Sequence, residues 1–550
     1  MDPFGGVPAW QLALAGGIAS LVLSVVGTWP VCALLLWLYR RRIERGMSTS
    51  RGTGPPDAAP TEGGVGKAIA VREVEPQDRL LLLEQAHRRA RQSQVLFAGL
   101  GLGYGLAATA AYHIVDQSHW RLGRAAAYTL LLGWPVLATV LAFSTARRRT
   151  WWLSSAAYVL IVIALLTVAD VAVSEVWTMA IPMLFVLATS ARPLRGAAWL
   201  VAPALMLGGL AAAALYPVFV YLRYRAAFDR YAWTLLAVGI GLVVLVIGYS
   251  WTIARIYQAK WASDQTLMIL QWWFVNALWW TFLLGTQGKV AALLGMAPYV
   301  LLVLALFTIA LLRRPNDTRP VRLLLLRTFG ARERSSRLLR DLTRQWRWVG
   351  SVELITGSDL ASETLEPDEF LDFIRGRLAR RFVRDTAELQ RRLQELDTRP
   401  DRDGRYRVNE LLCQADTWQS ALEALVGVVD VVVLDLRNFG VHNTGVRHEV
   451  QKLVALLPLV RVVALIDRTT DSEALRAALD RAASLAPQSS PLVSDPDPAF
   501  RVVGSQARGG DDVRRLVQAV ADAAAPDQDG TAISRHGHEP ERDTHQQGAQ

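Results

Sequence analysis

The stretch DVVVLDLRNFGVHNTGVRHEV, Asp430–Val450, ends a run of buried-strand residues in charge. Asp435 and Arg437 follow the apolar run, and Gly445 stands four residues ahead of Glu449, with Arg447 between them. Carboxylates and guanidiniums gathered past the end of a strand can hold an anionic ligand and move a proton or attack an electrophile. Three other segments have the same character: Arg327–Gly330, Gly357–Asp359 and Asp467–Asp471. Loops are also polar for solvation alone, and acids are favoured in the first turn of any helix, so a structural role for each residue stands beside the chemical one.

Positioning these residues requires a particular set of elements. After Arg314, short apolar runs alternate with longer helical patterns. Strands are predicted at 321–329, 351–357, 430–439, 461–467 and 500–504, with helices at 332–350, 366–383, 417–428, 445–457, 472–485 and 511–523. Strands alternating with helices imply a parallel sheet covered on both faces, a three-layer α/β domain over 315–524. In such sheets ligands bind beyond the carboxyl ends of the strands, which is where the charged segments fall. No P-loop and no G-x-G-x-x-G occurs, and His442 and His448 lack metal-ligand company, so no metal site is expected.

The first half of the chain is of another kind. Apolar residues make up 52% of the 550, with 19 Trp, and the net charge is +10. About 20 consecutive apolar residues cross a bilayer, and nine stretches qualify: 12–38, 94–115, 123–145, 151–170, 175–191, 197–221, 231–253, 265–286 and 292–312. Basic clusters follow alternate stretches, at Arg40–Arg45, Arg147–Arg149, Arg192 and Arg195, Arg255 and Lys260, and Arg313 and Arg314; Arg223, Arg225 and Arg230 break the alternation. The expectation is a multi-pass plasma-membrane protein with its N-terminus outside and its C-terminal domain cytoplasmic. Its parts are a first span and basic flank at 1–46, a cytosolic linker and juxtamembrane helix at 47–93, a helical bundle at 94–314, the α/β domain, and a disordered tail at 525–550. The positive charge fits membrane flanks and calls for no specific nucleic-acid binding. Cys32 and Cys413 fall in a span and in the domain, too far apart to pair. No predicted span centre carries an acid or base, which argues against a proton-coupled transporter.

The pattern of LLLLRTF, a helix, VELITGSDL, then DVVVLDL and GVRHEV resembles the TIR domain and its nucleoside deoxyribosyltransferase-like relatives over roughly 320–470. The resemblance implies that Glu449 matches the catalytic glutamate of both groups, though G-x-x-x-E here is one residue longer than the relatives' spacing and the tryptophan–cysteine pair usual before the glutamate is missing. It also implies a nucleotide such as NAD as substrate or ligand, cleaved at its N-glycosidic bond. A carboxylate beneath the sugar would stabilise the developing positive charge or attack it. The helix dipole would keep Glu449 ionised for that work. Arg327, Phe329, Asp359, Asp435, Arg437, Gly445 and Arg447 are the matching substrate-binding candidates. The expected function is a membrane signalling or defence protein, with the lipid bilayer, a nucleotide and other copies of itself as partners. The alternatives are a non-enzymatic receptor or scaffold built on the same domain, and a transporter with a regulatory domain.

Overall fold

The computed structural model of the protein describes residues 9–47, 66–74, 81–116, 121–144, 251–285, 287–312, 319–327, 332–356, 365–414, 416–505 and 510–524, with scattered positions between 153 and 248. The helical part contains α1 (Ala9–Met47), α2 (Leu81–Asp116), α3 (Leu122–Ser144), α4 (Asp264–Gly285) and α5 (Lys289–Leu312), with the strand β1 (Ala70–Glu73) between α1 and α2. The α/β part runs β2 (Leu323–Arg327), α6 (Arg332–Trp346), β3 (Val352–Ile355), α7 (Pro367–Ile374), β4 (Phe382–Val383), α8 (Thr386–Gln394), β5 (Val408–Cys413) and α9 (Trp418–Val426). It continues with β6 (Val431–Asp435), α10 (Thr444–Leu456), β7 (Val462–Ile466), α11 (Ser472–Leu485), α12 (Pro491–Ser494), β8 (Ala499–Gly504) and α13 (Gly510–Ala524).

The eight strands form one sheet in the order β1-β8-β7-β6-β2-β3-β5-β4. Every pairing is parallel. The central strands are apolar at nearly every position because both faces are covered. Leu323, Leu325, Val431 and Val433 pack toward α6 and α13, while Leu324, Leu326, Val432 and Leu434 pack toward α9, α10 and α11. The chain leaves β2 for β3 on one side and later returns with β6 on the other. The strand order therefore reverses between β2 and β6, and such a switch opens a crevice at the carboxyl edge.

The α/β domain expected from the alternating pattern is present, with three departures. The helix predicted over 366–383 stops at Ile374, because Gly376 takes a left-handed φ of 72° and ends it; the chain then turns through Leu378–Arg381 into β4. The strand β5 is hidden in the sequence by its mixed composition. Within the predicted linker and juxtamembrane segment 47–93, residues Ala70–Glu73 are a strand that completes the sheet against β8.

Of the nine predicted spans, two described helices are long and apolar enough to cross a membrane, Leu81–Val115 and Lys289–Leu312. Only 17% of the most apolar window of the second is buried. Val290, Leu293, Leu301, Leu304, Phe307 and Leu311 all lie exposed along it. The first, third and eighth predicted spans correspond to the helices α1, α3 and α4, whose side chains are described only in part. The fourth to seventh predicted spans lie largely outside the described residues.

Close contact between α2 and α3 depends on small residues. A Cβ at Gly105 would sit 2.3 Å from the Thr129 carbonyl oxygen, and one at Gly133 would sit 2.9 Å from that of Gly101. Trp273 and Trp279 are fully buried in the same cluster, Trp273 stacked on Tyr104 with ring centroids 5.0 Å apart. These tryptophans pack rather than cage a ligand. The helices also penetrate the α/β domain: Tyr39 and Ile43 of α1 are buried with Leu378, Phe382 and Leu412.

Candidate functional site

The register of the central strands sets Arg327 of β2 directly beside Asp435 of β6, at the carboxyl ends where the strand order reverses. Both are buried. Arg437 turns back on Asp435 with both prongs of its guanidinium, Nε donating to Oδ1 at 2.7 Å and Nη2 to Oδ2 at 2.7 Å. Arg437 is thus committed to a carboxylate and is not a phosphate clamp in this state. Burial works against its charge, but the hydrogen bonds and charge of Asp435, with Asp467 and Asp512, raise it above its ordinary value. Asp512 is not a residue the sequence singles out. It accepts from Ser505 Oγ at 2.8 Å and from Arg515 Nη2 at 2.6 Å, and so brings the end of β8 and the start of α13 to the same edge.

The loops after β6 and β7 are knitted together. Asn438, in a left-handed conformation with φ of 62°, donates its N–H to Thr469 Oγ1 at 3.0 Å. Thr470 Oγ1 donates to the Leu436 carbonyl at 3.0 Å, and the Asp471 N–H to the Phe439 carbonyl at 3.0 Å. Phe439 is buried beneath this loop and anchors it to the core. The next helix then starts from a fixed point.

Glu449 lies on that helix, α10, but not in its first turn, which contains no acid. It falls on the inner face with Val446, Val450 and Leu453 and is 5% exposed. Helix capping therefore does not account for it, and the expected ionisation by the dipole is reversed. Burial pushes the carboxyl up to about 8, with the Arg327 charge opposing. Its Oε2 is buried without a hydrogen-bond partner. At neutral pH this carboxyl is mostly protonated, which suits a proton donor.

Gly445 and Arg447 flank Glu449 on the first turns of α10. A Cβ at Gly445 would meet nothing within 4 Å, so the fold itself does not demand glycine there. Arg447 is half-buried, with its Nε unpartnered. His448 turns away to meet Trp418 edge-on, with centroids 5.6 Å apart. Phe329 and Asp359 lie outside the described residues. Among the described residues no group of three His, Cys, Asp or Glu side chains could hold a metal ion. The structure thus collects Arg327, Asp435, Arg437, Asp467 and Asp512 at the carboxyl edge, with Glu449, Gly445 and Arg447 on the adjoining helix.

Comparison with protein families, characterised proteins and solved structures returned no match to this chain.

Proposed function

We propose that this chain is an integral membrane signalling or defence protein whose α/β domain binds a nucleotide at the β2/β6 crevice and cleaves its N-glycosidic bond, as the resemblance to TIR domains suggests. The observation that carries this reading is Glu449: a buried, unpartnered carboxyl beside a strand-order switch, with Arg327 as its neighbouring charge. A fold gains nothing from such a group, and perturbed carboxyls of this kind gather at functional sites. In this reading Glu449 is protonated in the empty site. As the C1′–N bond breaks, the Glu449 proton passes to the leaving base or to solvent, the carboxylate so formed stabilises the ribosyl cation, and a water adds at C1′ and returns a proton to Glu449. Arg327 and Arg447 face the phosphates, while Asp435 holds Arg437 out of the way. The exposed apolar face of α5 supports the membrane part of the reading. The alternating basic clusters of the sequence support a multi-pass topology with the domain in the cytoplasm.

A non-enzymatic receptor is the second reading. It is favoured by the buried ion pairs between the helices and the domain, which would carry a binding event from one to the other. Purified full-length protein, reconstituted in lipid and given NAD or nucleosides, should release free base. Glu449→Gln should lower that rate by about 100-fold or more, the lower end of what positioned acid–base catalysis contributes. A nucleotide-induced rise in melting temperature without turnover would leave the receptor. Neither stabilisation nor turnover would remove the nucleotide site altogether.

A further inference from the structure

A cavity of about 420 Å³ lies where the helices meet the α/β domain. Ligand pockets run from about 300 to 1,000 Å³, so it exceeds a water site and suits part of an organic molecule. Its walls are apolar: Phe97 of α2, Leu270 of α4, and Leu306 and Phe307 of α5. Two of these three helices, α2 and α5, contain the membrane-length segments. Its polar rim is Arg255, Arg402 and Asp403, the last two from the domain.

The rim is built around aromatic rings. Trp261 stacks on Phe307 with centroids 5.1 Å apart and an interplanar angle of 7°. The Arg402 guanidinium lies 5.3 Å from the Trp261 ring centroid. The Arg255 guanidinium lies 3.9 Å from that of Trp251. The Asp403 carboxylate accepts from Ser263 Oγ at 2.5 Å and from the Arg405 N–H at 3.2 Å, so the rim sets two guanidiniums against one carboxylate and stays net positive. Apolar walls on membrane-length helices, with tryptophans and guanidiniums at the end nearest the polar domain, match a phospholipid standing in its leaflet. Arginines beside the headgroup select a phosphate without a compensating cation.

We propose that this cavity holds the headgroup and upper acyl chain of one anionic membrane phospholipid. The proposal rests on the reading that the chain is membrane-embedded. A lipid seated there touches Arg402 and Asp403, and so reaches the loop between α8 and β5 that hydrogen-bonds to the start of α4. The test uses the full chain in mild detergent with added phosphatidylglycerol, and native mass spectrometry to count retained lipid. One phosphatidylglycerol per chain is expected, with phosphatidylcholine retained about tenfold less, the equivalent of one charge-assisted hydrogen bond. The Arg255→Gln/Arg402→Gln double variant should lose the preference, and Val303→Trp, which fills the cavity from an exposed wall position, should lower retention of both lipids. Equal retention of the two lipids by wild type, or unchanged retention in both variants, overturns the proposal. So does displacement by glycerol 3-phosphate, which would mark a site for soluble phosphate. Carbonate washing of membranes separates the two failures: a chain that resists extraction but ignores lipid charge loses only this site, whereas one that is released loses the membrane reading too.

Discussion

A carboxyl buried without a partner burdens the fold, and Glu449 carries that burden in a testable form. In the unfolded chain it ionises near 4.5, whereas in the folded domain burial delays ionisation to about 8. Between those values the folded state holds a proton that the unfolded state has released. The contribution of Glu449 to stability is therefore intact below pH 4.5 and declines as the pH rises through that window. Glutamine has the same shape and no charge to desolvate. Each tenfold difference in proton affinity between the folded and unfolded states is worth about 1.4 kcal/mol. Glu449→Gln should therefore match wild type near pH 4 and be the more stable protein at pH 8, by roughly 2–4 kcal/mol. Denaturant titrations at the two pH values measure the difference. A variant that is more stable and inactive marks a site maintained against stability. Equal stability at both pH values would mean that Glu449 is solvated and ionises as an ordinary surface acid.

At the scale of elements, helix packing explains what the sequence made visible and what it did not. The strands β2, β6 and β7 were legible because uninterrupted apolar runs between helical patterns admit few other structures, and Asp435 and Arg437 followed from strand ends alone. Three things were not legible. The edge strand β1 is four residues of mixed polarity whose partner β8 begins more than 400 positions later, and no local signal encodes that pairing. The start of the helix carrying Glu449 was legible to within a residue, 445 against Thr444, but nothing local told that position 449 falls on its buried face rather than at a solvated N-terminus. The glycines of α2 looked alike, yet they differ by face. Gly105 touches the α3 backbone, while a Cβ at Gly103 would meet nothing within 4 Å. Gly105→Leu should therefore separate α2 from α3 and lower the thermal stability of the detergent-solubilised chain, at a cost of about 1–3 kcal/mol or more. Gly103→Leu, two residues away in the same helix, should be tolerated. Equal effects would show that helix propensity, not close packing, governs this segment.

Across the whole molecule, the helices and the sheet are joined by charge as well as by apolar contact. Asp264, at the start of α4, receives Arg347 Nη1 at 3.0 Å and Arg405 Nη1 at 3.0 Å, both from the α/β domain. Arg407 lies 3.6 Å from the Tyr257 ring centroid and pairs with Asp401 at 2.8 Å. Tyr257 donates to Glu366 Oε2 at 2.9 Å, and Tyr39 of α1 to Glu369 Oε1 at 2.7 Å. Burial pushes Glu366 up to about 8 and Glu369 up to about 7, so these tyrosine contacts involve acids that titrate near neutrality. Asp264 behaves oppositely. Burial raises its carboxyl, but Arg347 and Arg405 outweigh burial and hold it well below its ordinary 3.8. Its contribution is thus present above pH 3.8 and lost as the pH falls below it. Asp264→Asn takes a shared counter-charge away from two buried guanidiniums. Removing one partner of a buried ion pair costs more than the pair gains, here about 2–4 kcal/mol after allowance for the partly exposed edge of Asp264. The damage should concentrate at the junction, because these groups meet the sheet at β3 and β5, where Val352 donates to the Arg407 carbonyl and Val408 to Glu366 Oε1, both at 3.4 Å. Hydrogen exchange on the full chain should show faster exchange at 397–407 and at the start of α4 in Asp264→Asn, with β2, β6 and β7 unchanged. Uniform acceleration through the sheet would mean that the helices and the domain fold as one unit, and that the junction cannot pass a local change from one to the other.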